Sequence, residues 1–209
     1  MMRKSQSPIL IAGPTASGKS ALALALARRL GGVVINADSM QVYAELRILT
    51  ARPTLDDELC APHALYGFVS AREAYSTGCY ARDAEAALAA ARADGTRPIF
   101  VGGTGLYFKA LLEGLSPVPP VDEAVRAHWR MEAEHRGAVA LHGVLAMRDC
   151  EMAARLSPAD TQRIVRALEV LDSSGKSLAH WQSQPGRLVI AVDEAVRLLM
   201  LPDRATLHA

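Results

Sequence analysis

The sequence has few of the features that mark disulfide-rich, zinc-binding or membrane-spanning proteins. Its three cysteines, Cys60, Cys79 and Cys150, lie far apart and form no CxxC pair, so we expect reduced thiols and no zinc site. No apolar run approaches the roughly 18 residues needed to cross a bilayer. The net charge is only +1, which argues against a basic nucleic-acid-binding surface over the whole chain. These absences favour a cytoplasmic protein.

The bulk composition fits an ordinary globular chain. Half of the 209 residues are hydrophobic, which suffices for a substantial core in one domain or in one domain with a small insertion. Residues 1–8 include basic residues but no apolar segment of the kind found in signal peptides. We therefore interpret them as a short disordered arm.

One segment near the N-terminus fits the phosphate-loop pattern GxxxxGK followed by serine or threonine. It consists of Gly13, Pro14, Thr15, Ala16, Ser17, Gly18, Lys19 and Ser20. Apolar residues 9–12 before it predict a buried strand, and the alanine–leucine run at 21–27 predicts a helix. In that context the loop amides can bind phosphate, Lys19 adds positive charge, and the Ser20 hydroxyl can ligate Mg²⁺. The pattern predicts a phosphorylated ligand without saying which one.

Two further buried strands are predicted, and each leads into residues that could belong to the same site. Residues 33–37 precede Asp38, and residues 98–101 precede a glycine-rich turn ending at Thr104. Ligands of open α/β sheets bind at the carboxyl ends of the strands. Asp38 is then either a functional carboxylate or a turn residue, and Thr104 is either an active-site hydroxyl or a helix cap. His63 could line a pocket, although an isolated histidine more often has a structural role.

A proline-rich stretch at residues 116–120 divides the chain. Strands alternate with helices before it and strand signals return near the C-terminus, whereas the region between is helical. We therefore predict a P-loop-type parallel α/β core at 1–116 and 186–209, interrupted by a helical insertion at 117–185.

The insertion carries the clearest cap signal in the chain. Residues 157–160 resemble a capping box and predict the start of a helix whose apolar stripe includes Ile164. Arg163 and Arg166 lie off that stripe, where a solvated helix face is the first interpretation. Two earlier helices are expected at 121–136 and 138–147.

Strand character returns after the insertion. The apolar segments are residues 188–192 and 197–201, and residues 204–209 predict the start of a helix. A helix of that length is marginal on its own, so we expect the sequence to end within an element.

Four separated segments resemble those of the bacterial tRNA dimethylallyltransferase family. They are GPTASGKS at 13–20, NADSMQVY at 36–43, VGGTGLYFKALLEGLSP at 101–117, and DTQRIVRALEVL at 160–171 followed by SGKSL at 174–178. The resemblance implies transfer of a dimethylallyl group from dimethylallyl diphosphate to the exocyclic amine of the adenine adjacent to the anticodon in tRNA. It also implies a monomer in which the insertion clamps the RNA.

The resemblance assigns roles to individual residues. The phosphate loop would hold the donor diphosphate, with Lys19 on its oxygens and Ser20 on Mg²⁺. Asp38 would accept the proton of the attacking amine, and Thr104 would position that amine. The residues expected to contact tRNA are Asp38, Ser39, Met40, Gln41, Thr104, Arg126, Gln162, Arg163, Ile164, Val165 and Arg166.

Members of this family typically continue well beyond the length of this chain, with an arginine near the donor diphosphate and further tRNA contacts. We therefore expect weak or no prenyl transfer from the 209-residue form. Three alternatives stay open: a small-molecule kinase using ATP, a prenyltransferase acting on free adenine nucleotide, and a non-catalytic remnant that binds diphosphate or RNA. The nucleotide-modifying alternative would have no use for Arg163 and Arg166.

Overall fold

The computed structural model describes residues 7–203 and divides the chain into two compact units. The first unit is Met1–Leu115 with Leu188–Ala209, and the second is Ser116–Arg187. These boundaries lie within two residues of the expected ones. The expected helix start at 204–209 and all but the last two residues of the expected arm lie outside the described residues. Among the described residues, no helix is both long and apolar enough to cross a membrane.

The first unit is built on a parallel five-stranded sheet. The strands are β1 (Ile9–Ala12), β2 (Gly32–Asn36), β3 (His63–Ala64), β4 (Arg97–Gly102) and β5 (Val196–Leu199). Their order is β3-β2-β4-β1-β5, and every pairing is parallel. Ala12 pairs with Gly102, and Asn36 pairs with Val101. The carboxyl ends of β1, β2 and β4 therefore lie side by side, and the predicted parallel α/β core is confirmed.

The α-helices of this unit within residues 7–203 are α1 (Lys19–Leu30), α2 (Leu55–Cys60), α3 (Thr77–Ala93) and α4 (Gly105–Leu112). Alternate residues of the strands face opposite layers. Leu10 and Phe100 pack with the stacked rings of Tyr80 and Tyr107, whereas Ile11 packs against α1. Both faces of the central strands are therefore buried, as expected for a parallel sheet covered by helices on each side.

Residues 40–66, which the sequence predicts to be irregular because of their scattered prolines, contain regular structure. Besides β3 they hold α2, which a capping box opens: Thr54 Oγ accepts a hydrogen bond from Asp57 N–H at 3.1 Å, and Asp57 accepts one from Thr54 N–H at 2.9 Å. Such reciprocal bonds satisfy two unpaired amides of the first turn. The helix is only six residues long, too short to show a period.

The strand expected at 188–192 is absent. The N–H groups of Val189 and Ile190 instead donate to the carbonyl of Leu111, at 3.1 and 2.9 Å, and Ile190 is buried in the core. The apolar residues of segment 188–192 therefore cover the end of α4. The neighbouring segment forms β5, as expected, although it ends at Leu199.

Gly102, at the end of β4, lies against the residues that follow β2. A Cβ atom at this position would lie 2.0 Å from the Ala37 carbonyl oxygen, which is backbone and cannot rotate away. We expect Gly102→Ala to lower the free energy of unfolding by about 1–3 kcal/mol. Urea denaturation measures this loss. Gly105→Ala is the control, because a Cβ there meets nothing within 4 Å, and an equal loss in both variants would contradict the argument.

The second unit is entirely helical within the described residues. It comprises α5 (Glu123–Arg148), α6 (Cys150–Arg155), α7 (Thr161–Ser174) and α8 (Leu178–Gln182). The backbone of α5 leaves the helical region at Gly137, with φ 76° and ψ 167°. Two helical segments therefore meet at Gly137, and the predicted helices on either side of it are both present.

The predicted start of α7 is wrong by one turn. Asp160, not Ser157, caps the helix, because its side chain accepts a hydrogen bond from Arg163 N–H at 3.2 Å. A helix capped by Ser157 would place Pro158 in its first turn, whereas Pro158 precedes the observed helix. The apolar stripe is as expected: Ile164 and Leu168 are fully buried against α5 residues such as Leu141.

Candidate functional site

The phosphate loop connects the end of β1 to the start of α1. Gly18 precedes the helix with φ 80°, a left-handed conformation that favours glycine. A Cβ at Gly13 would lie 2.7 Å from the Met200 carbonyl oxygen, so only glycine fits there as well. The Ser17 hydroxyl is buried and finds no hydrogen-bond partner in the described part of the chain. An orphaned buried hydroxyl in this loop suits a bound polar ligand.

Lys19 lies across this loop. Its ammonium donates a hydrogen bond to the Pro14 carbonyl at 2.9 Å. Burial lowers the pKa of Lys19 below its ordinary value, and the nearby charge of Asp38 opposes part of that effect. A half-buried ammonium beside a carboxylate is stabilised further when an anion enters the loop.

Asp38 follows the carboxyl end of β2, and its two carboxylate oxygens have different surroundings. Oδ1 accepts a hydrogen bond from Met40 N–H at 3.0 Å, which stabilises the turn. Within residues 7–203, Asp38 Oδ2 accepts no hydrogen bond. A methyl group placed on Gly103 would lie 3.4 Å from Oδ2 and 3.4 Å from the Gly13 carbonyl oxygen. The phosphate loop and the free oxygen of Asp38 therefore border the same small space.

The Thr104 hydroxyl does not cap α4. It accepts a hydrogen bond from Ser39 N–H at 2.9 Å and contacts Ser39 Oγ at 3.2 Å. These bonds tie the start of α4 to the turn that holds Asp38. Thr104 therefore occupies the N-cap position of α4 without a side-chain cap bond, and the structure brings Asp38, Ser39 and Thr104 together beside the phosphate loop.

Asn36 supports this turn, and sequence reasoning missed it. The residue is fully buried. Its amide donates to the carbonyls of Asp38 and Leu65, at 2.9 and 3.0 Å, and its oxygen accepts from Asp38 N–H at 2.8 Å. A polar residue at the end of an apolar strand was the available signal, because a buried amide must find partners.

His63 lines a cavity of about 320 Å³ beside α1, together with Ser20, Arg28 and Tyr66. Its ring meets that of Tyr66 edge to face at 5.5 Å, and its Nδ1 lies 2.8 Å from the Ala61 carbonyl oxygen. Burial raises the pKa of Tyr66 far above its ordinary value, with Asp38 adding to the effect. The histidine therefore lines a pocket, and its contacts there are structural ones.

The residues after Asp38 that were expected to contact RNA differ in whether their side chains are already hydrogen-bonded within the protein. Met40 is exposed. The Gln41 amide donates to the carbonyls of Thr50 and Ala51, at 2.7 and 3.3 Å, and holds that loop in place. Met40 is therefore available to a ligand, whereas Gln41 is already engaged.

The other residues expected to contact RNA belong to the second unit. Gln162 and Arg163 are exposed on α7. Arg163 and Arg166 each lie 3.4 Å from a carboxylate on the same helix or at its cap, and Arg126 lies 3.6 Å from Glu123 on α5. Val165 is partly buried.

Ile164 requires a correction. Its side chain is fully buried in the core of the second unit, so direct contact with RNA is excluded in this structure. Its side chain anchors α7 to the core of that unit.

The described residues contain no group of three or more histidine, cysteine, aspartate or glutamate side chains able to hold a metal ion. Mg²⁺ does not require one, because it commonly binds through one or two protein oxygens together with substrate phosphates and water. Ser20, exposed in the first turn of α1, suits that mode.

Comparison with known proteins places these features in a family. The IPP transferase family model matches residues 41–209. A tRNA dimethylallyltransferase of Rhodopseudomonas palustris is 56% identical over 96% of this chain and 63% of its own length. One from Rhizobium etli is 53% identical over 98% of this chain and 69% of its own length. The chain therefore spans about two thirds of the length of these relatives.

Solved structures agree with this result. A eukaryotic dimethylallyltransferase acting on tRNA aligns with 94% of this chain and 48% of its own, with a TM-score of 0.79 and 26% identity. A tRNA isopentenylpyrophosphate transferase from Bacillus halodurans aligns with 82% of this chain and 57% of its own, with a TM-score of 0.53 and 34% identity. The P-loop-type parallel α/β fold, the motifs and the matched relatives agree, and the chain belongs to the IPP transferase family.

Proposed function

We propose that this protein transfers a dimethylallyl group from dimethylallyl diphosphate to the exocyclic amine of the adenine adjacent to the anticodon in tRNA. One observation carries the proposal: the free carboxylate oxygen of Asp38 borders the space at Gly103 that the phosphate loop also borders. A base and a leaving-group site are thus adjacent. The relatives named above, all tRNA dimethylallyltransferases or isopentenyltransferases, support this assignment.

The phosphate loop is the donor site in this proposal. Its amides and the N-terminus of α1 bind the diphosphate, and Lys19 neutralises part of its charge. Ser20 would hold Mg²⁺ together with diphosphate oxygens, and the ion would stabilise the departing negative charge. The orphaned hydroxyl of Ser17 gives the diphosphate a further hydrogen-bond partner.

Asp38 and Thr104 act on the adenine. Its exocyclic amine is a weak nucleophile because its lone pair is delocalised into the ring. As the new N–C bond forms, the C–O bond to the diphosphate breaks and Asp38 Oδ2 accepts the amine proton. Thr104 holds the amine in line with the donor carbon. Lys19 stabilises the diphosphate as its charge grows.

The helical unit binds the RNA. An adenine in an anticodon loop must be splayed out of its stack to reach the partly buried carboxylate of Asp38. Gln162, Arg163 and Arg166 offer an amide and two guanidinium groups suited to bases and phosphates. Met40 and Arg126 are further contacts. The protein acts as a monomer, and its second unit clamps the RNA.

A labelled-donor assay tests this function. Radiolabelled dimethylallyl diphosphate, Mg²⁺ and tRNA are incubated with protein in excess, so that slow single-turnover transfer is detected. Mass spectrometry of the digested RNA should find one adenosine heavier by a dimethylallyl group. Phosphate on a small-molecule product in the presence of ATP would support the kinase instead. Transfer to free adenine nucleotide that survives Arg163→Glu and Arg166→Glu would support the nucleotide-modifying alternative.

Thr104 gives a prediction of its own. Thr104→Val removes the hydroxyl that bonds to Ser39 while keeping the branched shape, so we expect the single-turnover rate to fall about tenfold or more as the amine loses its orientation. Thr104→Ser keeps the hydroxyl and should retain most of the rate. Equal rates in the two variants, with both folded by circular dichroism, would show that the hydroxyl has no role.

A further inference from the structure

The helical unit contains a cavity that the assigned residues only partly explain. Its volume is about 400 Å³, and it lies among α6, α7 and α8. Met152 and Leu178, both buried, form an apolar floor with Leu156. Volumes of this size are typical of small-molecule sites. Every lining residue belongs to the second unit, whereas Asp38 and Thr104 belong to the first.

The rim of this cavity is polar and cationic. It carries three arginines, Arg155, Arg163 and Arg166, and two amides, Gln162 and Gln182. Guanidinium planes stack on nucleobases and pair with phosphates. A carboxamide offers both donors and an acceptor to a base edge. An apolar floor with this rim matches a flat aromatic ring that has a polar edge and an attached phosphate.

Two of the three arginines are available to such a ligand. Arg155 pairs with Glu151 one turn earlier on α6, and both side chains are more than half exposed. Arg163 pairs with Asp160 at 3.4 Å and is also exposed. Exposed pairs of this kind contribute little free energy, so an RNA phosphate can replace the carboxylate at small cost. Arg166 is different, because its partner Glu169 is buried and holds it in place.

We propose that this cavity receives one unstacked nucleobase of the anticodon loop, distinct from the adenine that is modified, with Gln182 on the base edge and Arg155 on the adjacent phosphate. The proposal rests on the proposed function. It extends that function by assigning Arg155, Gln182 and the apolar floor to RNA recognition. A second base held in the helical unit would fix the register of the loop and so limit which adenine is modified.

Binding of a synthetic anticodon stem-loop RNA by the 209-residue chain, followed by fluorescence anisotropy, tests the proposal. Gln182→Ala should weaken binding about three- to tenfold through the lost hydrogen bonds and leave the salt dependence unchanged. Arg155→Ala should weaken it similarly and reduce the salt slope by about one, as expected for one phosphate contact. Both side chains are exposed, and thermal unfolding verifies the fold. Arg136→Ala is the matched control, because Arg136 makes the same i,i+4 pair but does not line the cavity.

Abasic substitution at each loop position identifies the captured base. At one position other than the target adenine, removing the base should weaken binding to the unmodified protein about tenfold and weaken binding to Gln182→Ala no further. Additive losses at every position, or a loss in Arg136→Ala equal to that in Arg155→Ala, would overturn the cavity proposal while transfer activity remained. Failure of the unmodified protein to bind the stem-loop would overturn the proposed function as well.

Discussion

Asp38→Asn should lower the single-turnover rate of dimethylallyl transfer by about 10²- to 10⁴-fold, the range that general-base catalysis contributes. An asparagine oxygen can still accept the hydrogen bond from Met40 N–H, so the turn is preserved. What the amide cannot do is take the proton of the adenine amine. The effect should therefore fall on the chemical step, and the affinities for donor and RNA should change little.

The control separates chemistry from charge. Asp56→Asn makes the same change in net charge at an exposed position on α2 and should leave the rate within twofold of the unmodified protein. Donor affinity gives a second readout. Removing the negative charge next to Lys19 should strengthen diphosphate binding slightly while transfer is lost. An Asp38→Asn protein that transfers at the unmodified rate would remove Asp38 from the mechanism.

The features that could be predicted from the sequence are those that a short stretch of chain specifies. The phosphate loop, β1 and α1 were predicted because one short motif, an apolar strand and a helical run specify them within a single stretch. Asp38 was placed on the same edge because strands of a parallel sheet end together. These predictions used only neighbours in sequence and one general rule of topology.

The remaining features depend on contacts between distant segments. Thr104 bonds to Ser39, 65 residues earlier, and no local pattern could decide between this contact and a helix cap. Ile190 is buried because it covers the end of α4, although its apolar neighbours had predicted a strand. The arginines of α7 had the pattern of a solvated face and gained a proposed role only through the family resemblance.

Lys19→Ala should weaken binding of dimethylallyl diphosphate by about 10- to 100-fold, the loss expected when a charged donor to an anion is removed from a partly buried site. Isothermal titration calorimetry with the diphosphate, or with inorganic diphosphate as the probe, measures it. Lys109→Ala is the matched control, because Lys109 is exposed, pairs with Glu113 at 3.9 Å and lies on α4, outside the phosphate loop. Its affinity should equal that of the unmodified protein.

The pH dependence of the same measurement tests the environment of Lys19. Its pKa lies below the ordinary lysine value of 10.5, because burial disfavours the ammonium form more than Asp38 favours it. The ammonium binds diphosphate and the neutral amine does not, so affinity should be full below the lowered pKa and fall as pH rises through it. This fall should begin at a lower pH than an unperturbed lysine would give. In Asp38→Asn it should begin lower still, because the charge that supports the ammonium is gone. A pH dependence identical in the two proteins would show that the carboxylate and the ammonium do not interact.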